Sequence, residues 1–248
     1  MRRTFPGLLS LVAPAMLAAQ AFGHFPPDSL VNVKVLPRTL PVVQVIGQMR
    51  NFAGDLGVRC QFCHVGQEGL PLDQFDFSAD TKRTKLVARQ MMLMVQEINH
   101  RLDSLPERAA NGLQVTCATC HRGVSRPAPL STVLVEIGNA SGADSAVRAY
   151  RALRSRYHGR AAYDFGEGSL NTAAFRLARA GKFEEAFAIL RLNAEQYPLS
   201  SGMEVFRGNI HLMRGDSTSA EAAYREAVRR DSTNDEAKGR LRAIGKQP

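Results

Sequence analysis

Two copies of one pentapeptide hold every cysteine of the 248-residue chain. The first is Cys60-Gln61-Phe62-Cys63-His64, and the second is Cys117-Ala118-Thr119-Cys120-His121. Two thiols at this spacing fit the two vinyl groups of one haem, and the histidine that follows falls under the iron as its proximal ligand. We therefore predict two covalently bound haem c groups with His64 and His121 as iron ligands. The predicted tethering residues are Cys60, Cys63, Cys117 and Cys120.

Three other uses of paired cysteines compete with haem attachment. Two Cys-x-x-Cys pairs can hold zinc, a single pair can serve as a thiol redox couple, and cysteines of exported chains often form disulfides. None of these uses requires a histidine directly after the second cysteine, yet both copies have one. Haem attachment accounts for all six residues and is the interpretation that we adopt.

The first 23 residues have the pattern of a secretory signal. Arg2 and Arg3 form a basic start, an apolar run extends over residues 8–19, and small residues up to Gly23 suit cleavage. The apolar run is short for a membrane span and contains Pro14, although an uncleaved anchor is the alternative. We predict export to the periplasm, where the mature protein is either free or associated with the membrane.

Length and charge limit the remaining possibilities. A chain of 248 residues has room for about two domains, and an apolar fraction of 44% is enough to build cores. The formal net charge is +9 at pH 7, but the propionates of two haems would offset much of it. No nucleic-acid-binding motif is present, so we predict protein rather than nucleic-acid partners.

The segment that precedes the first motif has the pattern of a helix, from Pro41 to Gly57. An extended lead-in over residues 24–40, with room for one short strand, comes before it. The helix would end three residues before Cys60, so it could fold back over the haem. Its apolar residues recur at steps of three and four: Val42, Val45, Met49, Phe52 and Leu56. Met49 alone on this face can ligate iron, and core packing is its alternative role.

A second helix is predicted over residues 81–105, ahead of the second motif, with Asp80 or Ser78 as its amino-terminal cap. Its apolar face contains Val87, Met91, Met94, Ile98, Leu102 and Leu105. The spacing does not distinguish Met91 from Met94 as an iron ligand. His100 lies off this face and is predicted to be a surface residue.

The order helix, motif, helix, motif predicts a mainly α haem domain with little strand. We place the signal peptide at 1–23, the dihaem domain at 24–130, a linker at 131–143 and a helical domain at 144–248. Much of the haem domain's core would be porphyrin, so we expect it to fold poorly without haem.

The haem half resembles the cytochrome c subunit of photosynthetic reaction centres. The stretches that carry this resemblance are 49–52 (MRNF), 56–64 (LGVRCQFCH), 88–94 (ARQMMLM), 98–99 (IN) and 115–123 (VTCATCHRG). That family carries four haems in two similar halves, and this chain resembles one half over about residues 30–130. The resemblance implies Met49 as sixth ligand of the first haem and Met91, rather than Met94, as sixth ligand of the second.

The carboxyl half contains a repeat with a period of 34 residues. Gly181-Lys182 matches Gly215-Asp216, and Tyr197-Pro198 matches Asp231-Ser232. The pattern resembles tetratricopeptide repeats, which stack pairs of helices and commonly bind other proteins. We predict that this half docks a protein partner.

We predict an exported dihaem c-type cytochrome that carries single electrons between redox proteins or within a membrane-bound respiratory or photosynthetic complex. Catalytic residues are not expected, because the cofactor carries the chemistry. Two alternatives remain at this point. One is a haem peroxidase-like oxidoreductase with an open iron site, and the other is a redox-sensing interaction module.

Overall fold

The computed structural model describes residues 24–106 and 112–247, so the predicted signal peptide lies outside the described residues. The helices of the described part are α1 Val42–Leu56, α2 Arg83–Asp103, α3 Cys117–His121, α4 Leu130–Tyr157, α5 Glu167–Arg179, α6 Phe183–Gln196, α7 Ser201–Met213, α8 Ser217–Arg230 and α9 Asp235–Ala243. Extended pairing in this part amounts to one isolated bridge between Val65 and Asp76. The mainly α prediction is confirmed. No helix of the described part combines the length and apolarity that crossing a bilayer requires.

Helix α1 has nearly the bounds that its sequence pattern predicts. The Pro41 carbonyl accepts hydrogen bonds from the amides of Gln44 (3.0 Å) and Val45 (3.2 Å), which starts the helix. Gly57 ends it with φ at +64°, a left-handed conformation that glycine adopts at little cost.

Two local predictions ahead of α2 are wrong. Residues 31–35 do not form a strand, because Asn32 turns the chain with φ at +64° and donates through Nδ2 to the Ser78 carbonyl (2.6 Å). Neither Asp80 nor Ser78 caps α2, whose N-cap is Lys82 without a side-chain bond. The Asp80 carboxylate instead pairs with two cations of α2, Lys85 (3.1 Å) and Arg89 (2.9 Å).

The segment 131–143, predicted to be a linker, is the first half of α4. Leu130 and Leu134 are buried in a core that α4 shares with α5 and α6. Gly138 supports this packing, because a Cβ there would lie 3.0 Å from Cδ2 of Leu177. Gly142 is the one residue that interrupts the helix, with φ at +80°.

The helices α5 to α8 reproduce the 34-residue period. Helices α7 and α8 begin and end 34 residues after α5 and α6, respectively. Gly181 and Gly215 make the matching turns with φ of +76° and +85°. In the second pair, Gly208 lets the buried Tyr224 ring approach α7, because a Cβ at residue 208 would lie 2.3 Å from that ring.

Two compact units divide the described chain differently from the predicted boundary at residue 130. One unit contains the residues up to Ala53 together with Arg59–Gln114, and includes the first motif. The other contains Gly54–Val58 together with Val115–Pro248, so it includes the second motif as well as the repeats.

Candidate functional site

The first motif forms a tight turn. Cys60–Phe62 is a single turn of 3₁₀ helix, and the Cys60 carbonyl accepts from the amides of Cys63 (3.2 Å) and His64 (2.9 Å). This winding holds both thiols and the histidine in one short segment. Both cysteines are free of disulfides and half-buried, and burial raises the pKa of the Cys63 thiol. Burial therefore favours the protonated thiol of Cys63, the form that adds across a vinyl group.

The start of α2 holds the first motif in place. The Lys82 ammonium donates to the carbonyl of Gln61, and the Thr84 hydroxyl donates to the carbonyl of Phe62. Gln61 and Phe62 are the two residues between the cysteines, so α2 binds the middle of the motif through its main chain. Side chains at these two positions are thus free to vary without loss of the contact.

His64 is suited to ligate iron because it is kept neutral. Burial, followed by the nearby positive charge of Lys85, lowers the pKa of His64 to about 4. The nearby Phe77 main chain acts in the opposite direction and raises the pKa, but it is not positioned to form a hydrogen bond with the ring. The buried Nδ1 of His64 therefore has no hydrogen-bond partner among the described residues. The Phe77 ring lies edge-on to the imidazole, with 4.9 Å between ring centroids. A neutral, sterically held imidazole is the form that binds a metal.

The second motif is the short helix α3. Thr116 and Thr119 form a reciprocal capping box at its start, which satisfies amides that the helix leaves unpaired. Arg122 leaves the helix in a left-handed conformation with φ at +50°. Burial, followed by the negative charge of Asp55, raises the pKa of the Cys117 thiol.

The end of α1 packs directly against the turn that follows α3. The Gly123 amide donates to the Asp55 carbonyl (2.8 Å). A Cβ at Gly57 would lie 2.0 Å from the Gly123 carbonyl oxygen, so only glycine permits this approach. The close packing of the turns at Gly57 and Gly123 therefore stabilises the segment that follows the second motif.

His121 is oriented by a hydrogen bond that His64 lacks. Its Nδ1 lies 2.9 Å from the Val124 carbonyl oxygen. Because a carbonyl only accepts, Nδ1 carries the proton and Nε2 keeps its lone pair. This arrangement fixes the tautomer that a metal-ligating histidine needs.

The candidate sixth ligands lie on the two long helices of the first unit. Met49 is half-buried on α1, whereas Met91 and Met94 on α2 are 39% and 47% exposed. Other apolar side chains of the same unit are also exposed. These are Phe62, Val65, Leu86, Val87 and Leu93.

The donor set suits haem c. Each motif supplies two reduced thiols and one imidazole, and the exposed apolar side chains of the first unit match the chemistry of a porphyrin face. Among residues 24–106 and 112–247, no three His, Cys, Asp or Glu side chains cluster closely enough to hold a bare metal ion.

Several supporting residues were missed by the sequence analysis. Lys82, Thr84 and Lys85 belong to no recognisable motif. They bind main-chain carbonyls, which a sequence does not display, and Lys85 in addition pairs with Asp80. The run of cations at the start of α2 was the one available signal, because cations there oppose the helix dipole and imply another role.

The comparisons with known proteins agree with this donor set. The profile of the family described as "Photosynthetic reaction centre cytochrome C subunit" matches residues 31–158, which is more than half of the chain. The match passes residue 130, where we expected the resemblance to stop, and takes in all of α4. Cytochrome c-554 of Chloroflexus aurantiacus is 34% identical over 106 residues, or 42% of this chain and 23% of that protein. The chain thus matches less than a quarter of the length of this curated relative.

Proposed function

Because the chain belongs to the photosynthetic reaction centre cytochrome c subunit family, we propose that it is an exported dihaem cytochrome that carries single electrons between redox partners. Membership identifies it as a c-type cytochrome with covalently bound haem. Two haems, periplasmic location and service to a membrane-bound complex are the further parts of the proposal. When bound, haem c supplies reversible one-electron exchange at its iron.

The two complete motifs are the observation that carries this proposal. Cys60 and Cys63 would tether one haem and Cys117 and Cys120 the other, each pair followed by a histidine held neutral or in a defined tautomer. His64 and His121 would bind the irons from one side. Met49 and Met91 would bind from the other, and thioether ligation favours ferrous iron and raises the reduction potential.

A haem count tests the number of cofactors. The full chain is purified from a periplasmic expression strain, and haem is measured as pyridine haemochrome per protein. We expect two haems, falling to one in the Cys117→Ala/Cys120→Ala variant. A wild-type value of one would contradict the dihaem proposal. An iron that binds added cyanide rapidly would instead favour a peroxidase-like enzyme with an open site.

We further propose that the repeat helices dock an acidic partner. A cleft along α6, α7 and α8 has Phe187 on its floor, 4.6 Å from the His211 ring, with the Arg214 guanidinium 4.9 Å from the Phe187 centroid. The charged residues that line the cleft are four arginines and two glutamates: Arg191, Arg207, Arg214, Arg230, Glu184 and Glu226. Arg207 and Arg230 pair with the buried Glu204, and Arg214 pairs with Asp216. The excess of arginine in the lining, beside an aromatic ring, supports an acidic segment as the partner, which fits a tetratricopeptide-like role.

Charge reversal tests the docking proposal. The double variant Arg191→Glu/Arg214→Glu is compared with wild type for binding of a short oligoglutamate peptide at low salt. We expect affinity to fall by at least tenfold, about 1.4 kcal/mol. Arg242→Glu, an exposed change on α9, is the control. An equal loss in the control would show that net charge, rather than this cleft, binds the peptide.

A further inference from the structure

Lys85 is a buried cation beside the first motif. The residue is 8% exposed, although lysine is rarely buried unless it is paired. Its ammonium donates to three successive carbonyls, of Phe77 (2.9 Å), Ser78 (3.1 Å) and Ala79 (2.8 Å). The ammonium also pairs with the Asp80 carboxylate (3.1 Å), so its three hydrogens are shared among four acceptors of one loop, residues 77–80.

That loop forms the packing surface for His64. The Phe77 ring stands edge-on to the imidazole at 4.9 Å, and is itself packed between Phe25 (5.6 Å) and Phe75 (5.7 Å). His64 lacks the carbonyl partner that orients His121, so ring packing is what fixes its direction. Lys85, by holding the Phe77 carbonyl, holds the ring that faces the histidine.

The charge around this loop is not neutralised. Asp80 is shared between Lys85 and Arg89, and Arg89 together with Asn32 keeps its pKa well below the usual range. Asp76 accepts from the loop's own Ser78 and Ala79 groups. Lys82 donates to a carbonyl, which brings no negative charge. The loop is therefore surrounded by three cations, Lys82, Lys85 and Arg89, and two carboxylates, which leaves a net positive charge.

We propose that Lys85 is a positioning residue for the proximal ligand of the first haem, and that its buried charge raises the reduction potential of that haem. A fixed positive charge in a medium of low dielectric disfavours the more positive, ferric state. Lys85 holds the loop that packs against the first motif, so we expect its charge to act more strongly on the first haem than on the second. This inference rests on the proposed dihaem function.

The test is a spectroelectrochemical titration of the holoprotein and its variants at Lys85. Lys85→Met removes both the charge and the hydrogen bonds, and Lys85→Gln removes the charge but keeps two donor hydrogens. We expect both variants to favour oxidation of one haem by about threefold to tenfold, where tenfold corresponds to 59 mV for one electron. Lys85→Arg should restore most of the wild-type value.

Two further variants make the result specific. Met49→His changes the ligand of the first haem and identifies which wave in the titration belongs to it. Arg83→Met removes an exposed charge from the same turn of α2 and should leave both potentials nearly unchanged.

The inference fails if two haems are bound and neither potential responds to Lys85→Met, if both potentials shift equally, or if Arg83→Met acts as strongly. If the reduction potential shifts in Lys85→Met but not in Lys85→Gln, the hydrogen bonds rather than the charge set the potential. That result would support the positioning role of Lys85 and overturn the role of its charge. A haem count below two in the wild-type protein would instead contradict the proposed function. The pyridine haemochrome measurement gives this count independently of the potentials.

Discussion

The two histidines that we propose as proximal ligands are prepared for iron by different means. His64 is buried against Phe77, with its pKa lowered to about 4, whereas His121 donates from Nδ1 to the Val124 carbonyl. Burial thus favours the neutral imidazole of His64, and the carbonyl selects the His121 tautomer in which the lone pair lies on Nε2. The motif spacing predicts the identity of these ligands, but the means of holding each one depends on contacts that only the fold supplies.

The choice between Met91 and Met94 gives a prediction at this scale. Met91→Ala should abolish the charge-transfer band of one methionine-ligated ferric haem, because the family resemblance makes Met91 the ligand. Met94→Ala removes a methionine one turn away on the same face and is the matched control. Loss of the band in the control, with the band kept in Met91→Ala, would reverse the assignment.

Residue roles can be proposed from the sequence where the side chains themselves carry the chemistry. The cysteine and histidine assignments follow from the motif, and that of Met49 follows from an apolar face with one possible ligand. Lys85 could not be identified in this way, because three of its partners are the carbonyls of Phe77, Ser78 and Ala79 and its ion pair with Asp80 belongs to no motif. Main-chain atoms are the same at every position, so they leave no sequence signature.

At the scale of elements, glycines decide where helices end and how closely they meet. Gly57 ends α1 as its position predicts, while its contact with the Gly123 carbonyl was not foreseeable from sequence separation. In α4, Gly138 lies within the segment predicted to be a linker, and the structure shows that it allows Leu177 to pack closely against the helix. Glycine marks both breaks and close approaches, and only packing distinguishes them.

Gly57→Ala should disrupt the second motif. A new Cβ would meet the Gly123 carbonyl at 2.0 Å in addition to the strain of a positive φ. Gly69→Ala is the control, since its φ is +88° but nothing lies within 4 Å of a Cβ there. We expect the control to lose about 1–2 kcal/mol of unfolding free energy, and Gly57→Ala to lose more, with reduced haem content. Equal losses in urea titrations would contradict the account.

Gly208→Ala should destabilise the second helix pair. The Cβ would lie 2.3 Å from the Tyr224 ring, which is fully buried and whose hydroxyl donates to Asn209 (2.8 Å). Overpacking of this kind costs about 1–3 kcal/mol of unfolding free energy. Gly239→Ala, in α9 with open space around it, should be neutral or stabilising by up to ~1 kcal/mol. Thermal unfolding of both variants measures the difference.

At the scale of the whole chain, the hydrophobic core is distributed unevenly. Within the described residues of the first unit, only Val45 and Phe75 are buried apolar side chains. The second unit has a continuous core that runs from Val124 and Leu130 into the repeats. Protein side chains alone therefore stabilise the second unit far better than the first. The 34-residue period predicted the repeats, whereas residues 131–143, predicted to be a linker, belong to α4 and contribute to the core of the repeats.

Haem-free protein should therefore lose structure selectively. The chain expressed without its attachment machinery, with Cys→Ala at all four tethers, should show slow amide hydrogen exchange in α5 to α8 and rapid exchange in α1 and α2. The physical reason is that the first unit buries too little apolar surface to offset its ordering entropy. A far-UV circular dichroism spectrum equal to that of the holoprotein would contradict this prediction.

We propose above all that this chain is a two-haem electron carrier with methionine as the sixth ligand of each iron. The most direct measurement is a redox-poised visible spectrum of the purified exported protein, with haem counted as pyridine haemochrome. The account predicts two c-type haems per chain, both low-spin, with two charge-transfer bands of methionine-ligated ferric iron. One high-spin haem open to added ligands, or a chain with no haem, would contradict it.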